Sequence, residues 1–352
     1  MTTRWPRWPV SGARAGDEAD LTAIATDSIE TLLGALPGRP AHRPVVARDA
    51  VSLPAIRSWC DAIGERNPLF TDRAAARAAG HPDVIAPPAT LQMWTMPGLE
   101  PGRPPDAGPA TAGDLDLVVR GRLAELGYPA TLAVATDQTF CQDLVPGDVV
   151  CAQDRYTTVS DRKATTLGPG YFVSSATQYR TAAGALVGRL TLTVFHYRPG
   201  PTERPARPRR PAAEPPTTSR SDRLGRRRVG LTPTSVIAGA LATRDYYPVH
   251  HDRDFARAHG HPDILVNILT TNGLLARVVG EWTGGARLLG LTTRLRQPAH
   301  PYDELTFDGS IADVDGEQNV DAEQAELVIR VGVGERGLHA EARARVAGPP
   351  QP

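Results

Sequence analysis

DYYPVHHDRDFARAHGHPDI, residues 245–264, has a counterpart 180 residues earlier in ERNPLFTDRAAARAAGHPDV, residues 65–84. Ten of the twenty aligned positions are identical, among them Pro68/Pro248, Asp72-Arg73/Asp252-Arg253, Ala76-Arg77-Ala78/Ala256-Arg257-Ala258 and Gly80-His81-Pro82-Asp83/Gly260-His261-Pro262-Asp263. Agreement of this density at one fixed offset marks an internal duplication, so the chain is two copies of one domain. At 352 residues it is long for one domain and comfortable for two.

The copies diverge where chemistry would occur. Glu65 stands at the place of Asp245, Phe70 at the place of His250, and Pro87 opposite Asn267. Asp245 and His250 are five residues apart with Pro248 between them. Proline cannot sit inside a helix and biases the preceding residue to extended backbone, so the run is an ordered loop whose ends can fold toward one point. A carboxylate and an imidazole converging on one water suit proton transfer. Two other readings use the same residues. His250, His251 and Asp252 are metal-ligand types, although adjacent side chains in extended chain point to opposite sides and disfavour a shared ion. His250 could also simply hydrogen-bond the loop. His81, His259 and His261 read as turn residues, because His81 recurs in the copy that lacks the acid–base pair.

Around the repeat, apolar spacing gives a coarse map. Ile29, Leu32, Leu33 and Leu36 mark a helix over Leu21–Leu36, and Ile56, Trp59, Cys60 and Ile63 form one face of a second. Copy two carries a long buried helix over Val266–Trp282, stopped by Gly284-Gly285, whereas the equivalent in copy one is broken by Pro97-Gly98 about ten residues in. Residues 97–113 read as a surface loop. The stretch Leu115–Tyr197 is strand-like, as are Leu288–Arg296, Glu304–Ile311, Glu326–Val333 and Leu338–Val346. Residues 199–228 hold seven prolines and nine arginines with almost nothing apolar, which makes a linker; its Arg226-Arg227-Arg228 cluster is either solvated or meets a phosphate-bearing ligand. The expected organisation is a mobile tail at 1–18, a first domain at 19–198, the linker at 199–228 and a catalytic domain at 229–347.

Composition narrows the functional classes. The 39 basic and 39 acidic residues balance, which argues against a nucleic-acid partner. Cys60, Cys141 and Cys151 have no metal spacing and cannot all pair, which fits a reduced cytoplasmic compartment. No run reaches the length of a membrane span and no signal-peptide core is present, so no membrane partner is expected.

These residues resemble the MaoC-like hydratase/dehydratase family, whose motif is roughly Gly-Asp-x-Asn-Pro-(Ile/Leu/Val)-His. Copy one reads Gly64-Glu65-Arg66-Asn67-Pro68-Leu69-Phe70 and copy two Arg244-Asp245-Tyr246-Tyr247-Pro248-Val249-His250. Within that family the chain is similar to the two-subunit enoyl-CoA hydratases of actinobacterial steroid side-chain breakdown. Copy one resembles their non-catalytic subunit in Ile56–Asp61, Val84–Pro88 and Trp94–Leu99. Copy two resembles the catalytic subunit in Ala242–Asp245, His250–Asp254, Asp263–Leu269 and Tyr302-Asp303.

The resemblance implies an α+β tandem (double) hot-dog fold, each unit a curved antiparallel sheet around a central helix, with both subunits fused in one chain. It implies a 2-enoyl-CoA hydratase for a bulky, possibly steroid side-chain, acyl thioester. The shortened first helix would widen the ligand cavity. Asp245 and His250 would be the catalytic residues and the backbone N–H of Asn267 the oxyanion donor at a helix N-terminus. No metal and no cofactor beyond the CoA thioester substrate is expected, and two chains would form a homodimer. Alternatives are dehydration of a 3-hydroxyacyl thioester on CoA or a carrier protein, a non-catalytic acyl-CoA-binding subunit, and a hot-dog thioesterase, which the Asp-x-x-Pro-x-His pattern does not favour.

Overall fold

The computed structural model describes residues 28–99, 115–200, 223–314, 317–318, 320–321 and 324–348. The tail read at 1–18, most of the loop read at 97–113, most of the 199–228 linker and the first residues of the Leu21–Leu36 helix lie outside them.

Helices α1 (Ile29–Gly34), α2 (Leu53–Ile63), α3 (Pro68–Thr71), α4 (Arg73–Ala78) and α5 (Leu115–Glu125) belong to the first half, and α6 (Pro233–Ala242), α7 (Arg253–Ala258) and α8 (Ile268–Trp282) to the second. The strands are β1 (Val45–Val46), β2 (Ala130–Phe140), β3 (Val150–Val159), β4 (Lys163–Thr165), β5 (Gly168–Thr181), β6 (Leu186–Tyr197), β7 (Arg223–Gly230), β8 (Leu288–Leu295), β9 (Glu304–Ile311), β10 (Asp313–Val314), β11 (Glu317–Gln318), β12 (Val320–Asp321), β13 (Gln324–Val333) and β14 (Leu338–Ala347). One twelve-stranded sheet runs β1-β3-β5-β6-β2-β8-β14-β13-β9-β7, with β4 on β5 and β12 on β13. Its seam is the antiparallel pairing of β2 with β8, from Ala135↔Arg294 to Thr139↔Gly290. The two halves therefore share one sheet, and the architecture is α+β.

The core is shared as well. Trp59, Ile56 and Ile63 of α2 lie in one apolar cluster with Leu274, Leu275 and Val278 of α8 and with Leu327, Ile329 and Val331 of β13. Gly273 lets the helices meet this closely, since a Cβ there would stand 2.7 Å from Trp59 Cζ2. Burial of Trp59 at 1% exposure makes its truncation worth about 3–5 kcal/mol.

The repeated sequence is explained by repeated hydrogen bonds. Asp72 caps α4 through Ala74 N and Ala75 N, and Asp252 caps α7 through Asp254 N and Phe255 N. Arg73 Nε donates to Asp83 Oδ1 and Arg253 Nε to Asp263 Oδ1, both at 2.9 Å. Arg77 Nε and Arg257 Nε reach the carbonyls of Pro82 and Pro262, both at 3.4 Å. The conserved half of the motif thus holds up the loop in both copies.

Three stretches differ from the sequence reading. Leu115–Glu125 is a helix and not strand-like: of its buried residues, Leu115, Val119 and Leu123 recur every four and Asp116 stands three before Val119, the helical period. Copy one keeps no half-length central helix; two 3₁₀ turns, Pro88–Thr90 and Met93–Thr95, stand in its place. Proline at residues 87 and 88 removes two backbone donors there. Arg223–Arg228, read as linker, is the start of edge strand β7, paired with β9. The arginines of its cluster are spent on carboxylates, Arg226 on Asp308, Arg227 on Glu281 and Arg228 on Glu304.

Candidate active site

Helix α6 begins at Pro233 with a capping box, Thr232 accepting from Ser235 N, and ends on Thr243. The next residue, Arg244, has φ 58°, a left-handed value rare for a side chain with a Cβ. Gly64 holds φ 70° at the same place in copy one. The turn is the same in both: Asp245 N donates to Ala240 O and Glu65 N to Cys60 O, each at 2.9 Å. Loss of the motif glycine is therefore absorbed as backbone strain at Arg244, and Asp245 emerges where the motif requires it.

Pro248 opens a 3₁₀ turn over Pro248–His250, which brings the imidazole back toward Asp245. His250 Nδ1 lies 2.8 Å from Leu265 O. A carbonyl only accepts, so Nδ1 carries the proton and the neutral ring presents the lone pair of Nε2. That Nε2 is 3.5 Å from Asp245 Oδ2. Both groups are acceptors at this pairing, which suits one water donating a hydrogen to each. Their side chains keep 10% and 17% accessibility.

Asn267 ties the pair to the long helix. It is the N-cap of α8, its Oδ1 accepting from Thr270 N at 2.8 Å. Its Nδ2 donates to Asp245 Oδ2 at 3.0 Å and to Thr243 Oγ1 at 2.9 Å. The residue is 3% exposed, and no acceptor for its backbone N–H occurs among the described residues. An open N–H at the positive end of a fifteen-residue helix is placed to stabilise developing negative charge.

The residues behind this group carried no signal in sequence. Thr243 Oγ1 donates to Gly239 O at 2.8 Å while receiving Asn267. His339, in β14, meets Thr271 Oγ1 through Nε2 at 3.0 Å and Gln297 O through Nδ1 at 2.7 Å. Thr271 Oγ1 in turn donates to Asn267 O at 3.2 Å. His300 holds Ile264 O at 3.0 Å.

The other histidines behave as packing groups. His259 lies on the Phe255 ring with centroids 3.9 Å apart. Burial, then the neighbouring His300, pushes the His261 imidazole down to about 4. Burial and the adjacent His250 lower His251 as well. Among the described residues no group of three His, Cys, Asp or Glu side chains stands close enough to hold a metal ion.

Copy one has the scaffold without the chemistry. Phe70 is 8% exposed in the core. Glu65 Oε1 closes its own turn, accepting from Arg66 N at 2.8 Å and Asn67 N at 2.9 Å. Pro87 has no N–H. A shallow pocket just large enough for a small group opens there, lined by Pro87, Thr90, Phe140 and Asp143 among others.

Comparison with known proteins follows this division. A family model described as FAS1-like, dehydratase domain region, matches residues 38–189, and one described as MaoC like domain matches residues 214–332. A probable enoyl-CoA hydratase alpha subunit of Thermomonospora curvata is 34% identical over 180 residues, 51% of this chain and 55% of that protein. The alpha subunit of the 3-oxo-4,17-pregnadiene-20-carboxyl-CoA hydratase of Mycobacterium tuberculosis is 41% identical over 132 residues, 38% of this chain and 40% of that protein. The beta subunit of that enzyme is 48% identical over 83 residues, 23% of this chain and 64% of that protein. The chain thus spans less than two thirds of each of these relatives. In fold it is similar to a solved MaoC-like dehydratase, with a TM-score of 0.66 at 18% identity over 92% of this chain and all of that one. It is also similar to a Mycobacterium tuberculosis protein with a double hot-dog fold, with a TM-score of 0.59 at 13% identity over 92% of this chain and 99% of that one. No helix among the described residues is long and apolar enough to cross a membrane. The chain is thus made of two dehydratase-type domains, a FAS1-like dehydratase region over residues 38–189 and a MaoC-like domain over residues 214–332, and it folds as a double hot-dog.

Proposed function

We propose that the chain hydrates a 2-enoyl-CoA thioester to the 3-hydroxyacyl-CoA, with Asp245 and His250 as its catalytic residues and the Asn267 N–H as its oxyanion donor. The observation that carries the reading is the convergence of Asp245 Oδ2 and His250 Nε2, 3.5 Å apart, with the outer imidazole nitrogen already committed to Leu265. A water held between them attacks Cβ and gives up a proton to the pair. Negative charge moves to the thioester oxygen, where the Asn267 N–H receives it, and the pair returns a proton to Cα. Acid–base help of this kind is worth about 10²- to 10⁴-fold. Because the two groups share one water, they are treated as a unit without assigning the formal base.

Dehydration of a 3-hydroxyacyl thioester uses the same atoms in reverse, and the family model matching the first half carries the word dehydratase. A bulky acyl group is favoured by the two turns that replace a central helix in copy one, and the pregnadiene name of two relatives supports a steroid side-chain substrate. Copy one corresponds to one subunit of such an enzyme and copy two to the other, and two chains would pair as a homodimer. The cysteines are free, Cys60 and Cys151 buried and Cys141 exposed, which supports a cytoplasmic setting.

The test is to mix the purified protein with a short enoyl-CoA and, separately, a steroid-side-chain enoyl-CoA, following loss of the conjugated absorbance. Turnover of the bulky substrate alone supports the full reading. Turnover of the short one alone keeps the hydratase and removes the steroid. If neither reacts, hydration of CoA thioesters is the wrong assignment.

A further inference from the structure

Strand β14 breaks its register at one residue. Opposite Val331 and Gly332 of β13 stand Ala340 and Leu338, and His339 between them is the extra residue of a β-bulge. Copy one has the same bulge: opposite Tyr179 and Arg180 of β5 stand Gly188 and Leu186, and Val187 is the extra residue. The backbone bond to that residue is repeated too, Arg296 N donating to His339 O and Cys141 N to Val187 O, each at 2.8 Å. A bulge re-aims a side chain, and here it aims an imidazole in one copy and an isopropyl group in the other.

The partner of the bulge residue differs in step. At the 180-residue offset Thr271 stands where copy one has Leu91. Thr271 and His339 are buried, and so are Leu91 and Val187, which border the same shallow pocket. The duplicated scaffold thus packs this place with two apolar side chains and needs no polar ones. Burying a hydroxyl and an imidazole costs desolvation that leucine and valine do not incur. The polar pair occurs in the copy that carries Asp245 and His250, so copy one serves as an internal control: packing alone does not account for His339.

His339 Nδ1 lies 2.7 Å from Gln297 O, a carbonyl, so this nitrogen carries the proton. Burial lowers the pKa of the ring, which leaves Nε2 as an acceptor. The one hydroxyl hydrogen of Thr271 is shared between that Nε2, at 3.0 Å, and Asn267 O, at 3.2 Å, a three-centre bond of the kind common at helix ends. Asn267 O also receives Thr271 N at 3.1 Å. His339 therefore ties the first turn of α8 to the sheet. Asn267, at the start of that turn, carries both the open N–H and the 3.0 Å bond to Asp245 Oδ2. We propose that His339 is a positioning residue: from the bulge it holds Thr271, and through Thr271 the turn that sets the Asn267 N–H against the Asp245–His250 pair. The proposal rests on the hydratase reading of the site.

The test installs the copy-one residues as His339→Val/Thr271→Leu and compares that variant with His339→Gln, whose amide can donate to Gln297 O and accept from Thr271 in place of the neutral ring. With an enoyl-CoA that the wild-type chain hydrates, the double variant is expected to lose kcat by about 10- to 100-fold, with KM and melting temperature little changed. His339→Gln is expected to restore most of kcat. Near-wild-type kcat in the double variant overturns the proposal, and so does a loss confined to KM or an equal loss of kcat in His339→Gln. Should the double variant fail to fold, Thr271→Val, which removes only the hydroxyl, is read in the same way. If the wild-type chain hydrates no enoyl-CoA, the hydratase reading fails by itself, and amide hydrogen exchange over residues 267–271 decides the role of His339. Faster exchange in the double variant and not in His339→Gln sustains its hold on the turn. Exchange equal to wild type in the double variant, or faster in both variants, overturns it.

Discussion

His250 turns its Nδ1 to the Leu265 carbonyl and its Nε2 to Asp245 Oδ2, 3.5 Å away. The first contact fixes the tautomer and the second defines where a water belongs. Asp245→Asn replaces one acceptor by a group that competes as donor, and His250→Gln removes the imidazole from the pair. Each is expected to lower kcat by about 10²- to 10⁴-fold with little change in melting temperature, followed by enone absorbance and circular dichroism. Near-normal turnover in either variant would remove that residue from the chemistry.

Asn267 joins a helix cap and a carboxylate anchor in one side chain. Asn267→Ala is expected to destabilise the chain by about 1 kcal/mol through loss of the cap. Asn267→Gly should cost only a few tenths of a kcal/mol, yet it too releases Asp245. Equal losses of activity in the two, despite unequal stability, would separate the anchor from the cap. The comparison is read from urea midpoints beside kcat.

Gly239 sits where α6 crosses α8. A Cβ there would lie 2.4 Å from Thr270 Oγ1 and 2.9 Å from Thr270 Cγ2. Gly239→Ala is therefore expected to destabilise by about 1–3 kcal/mol, and Gly239→Ala/Thr270→Ala to recover most of that. Additive losses in the double variant would place the strain elsewhere.

Arg244 adopts the left-handed backbone that Gly64 adopts in copy one. Its ion pair with Asp49, at 3.4 Å and with Asp49 71% exposed, is too open to contribute much. Arg244→Gly is expected to be tolerated, since relief of strain offsets the lost contacts. Arg244→Val, β-branched, should lose about 1–2 kcal/mol or more. Thermal melts of the two variants make the comparison.

Acid should unfold the chain through its buried histidines. The folded value of His261 is lowered to about 4 from an ordinary 6.5 by burial, and that of His196 likewise. Between those values the unfolded chain binds more protons, so stability is full above pH 6.5 and lost as pH falls toward 4. The loss is of order 3 kcal/mol per group at most. His261→Asn is expected to flatten that slope in pH-dependent melts; an unchanged slope would rule His261 out as its source.

The duplication was legible because most of the identities at one offset, Asp72, Arg73, Arg77 and Asp83 among them, are cap, turn and ion-pair residues that either copy needs to hold the loop. The absence of the acid–base pair from copy one was equally legible, since Phe70 carries no titratable group and Pro87 no backbone N–H whatever the packing. Helix α5 was not. Its opening Leu-Asp-Leu-Val-Val alternates like a strand, and only burial against Tyr156 and Tyr171 selects the helix. Strand β7 was hidden because its arginines look like linker until Asp308, Glu281 and Glu304 arrive from elsewhere in the chain. His339 and Thr243 were invisible for the same reason: 68 residues separate His339 from Thr271, and 24 separate Thr243 from Asn267.

The seam between β2 and β8 has a consequence for behaviour on dilution. Two separate subunits exchange partners and fall apart below their dissociation constant. Here the strands that would join them belong to one polypeptide, so their effective concentration is set by the connecting chain and not by the amount of protein. The ratio of the first half to the second is locked at one to one from synthesis onward. Pairing of the two halves that depended on an encounter between separate chains would be lost in dilute solution; the β2–β8 seam, closed within one chain, has no such encounter to lose.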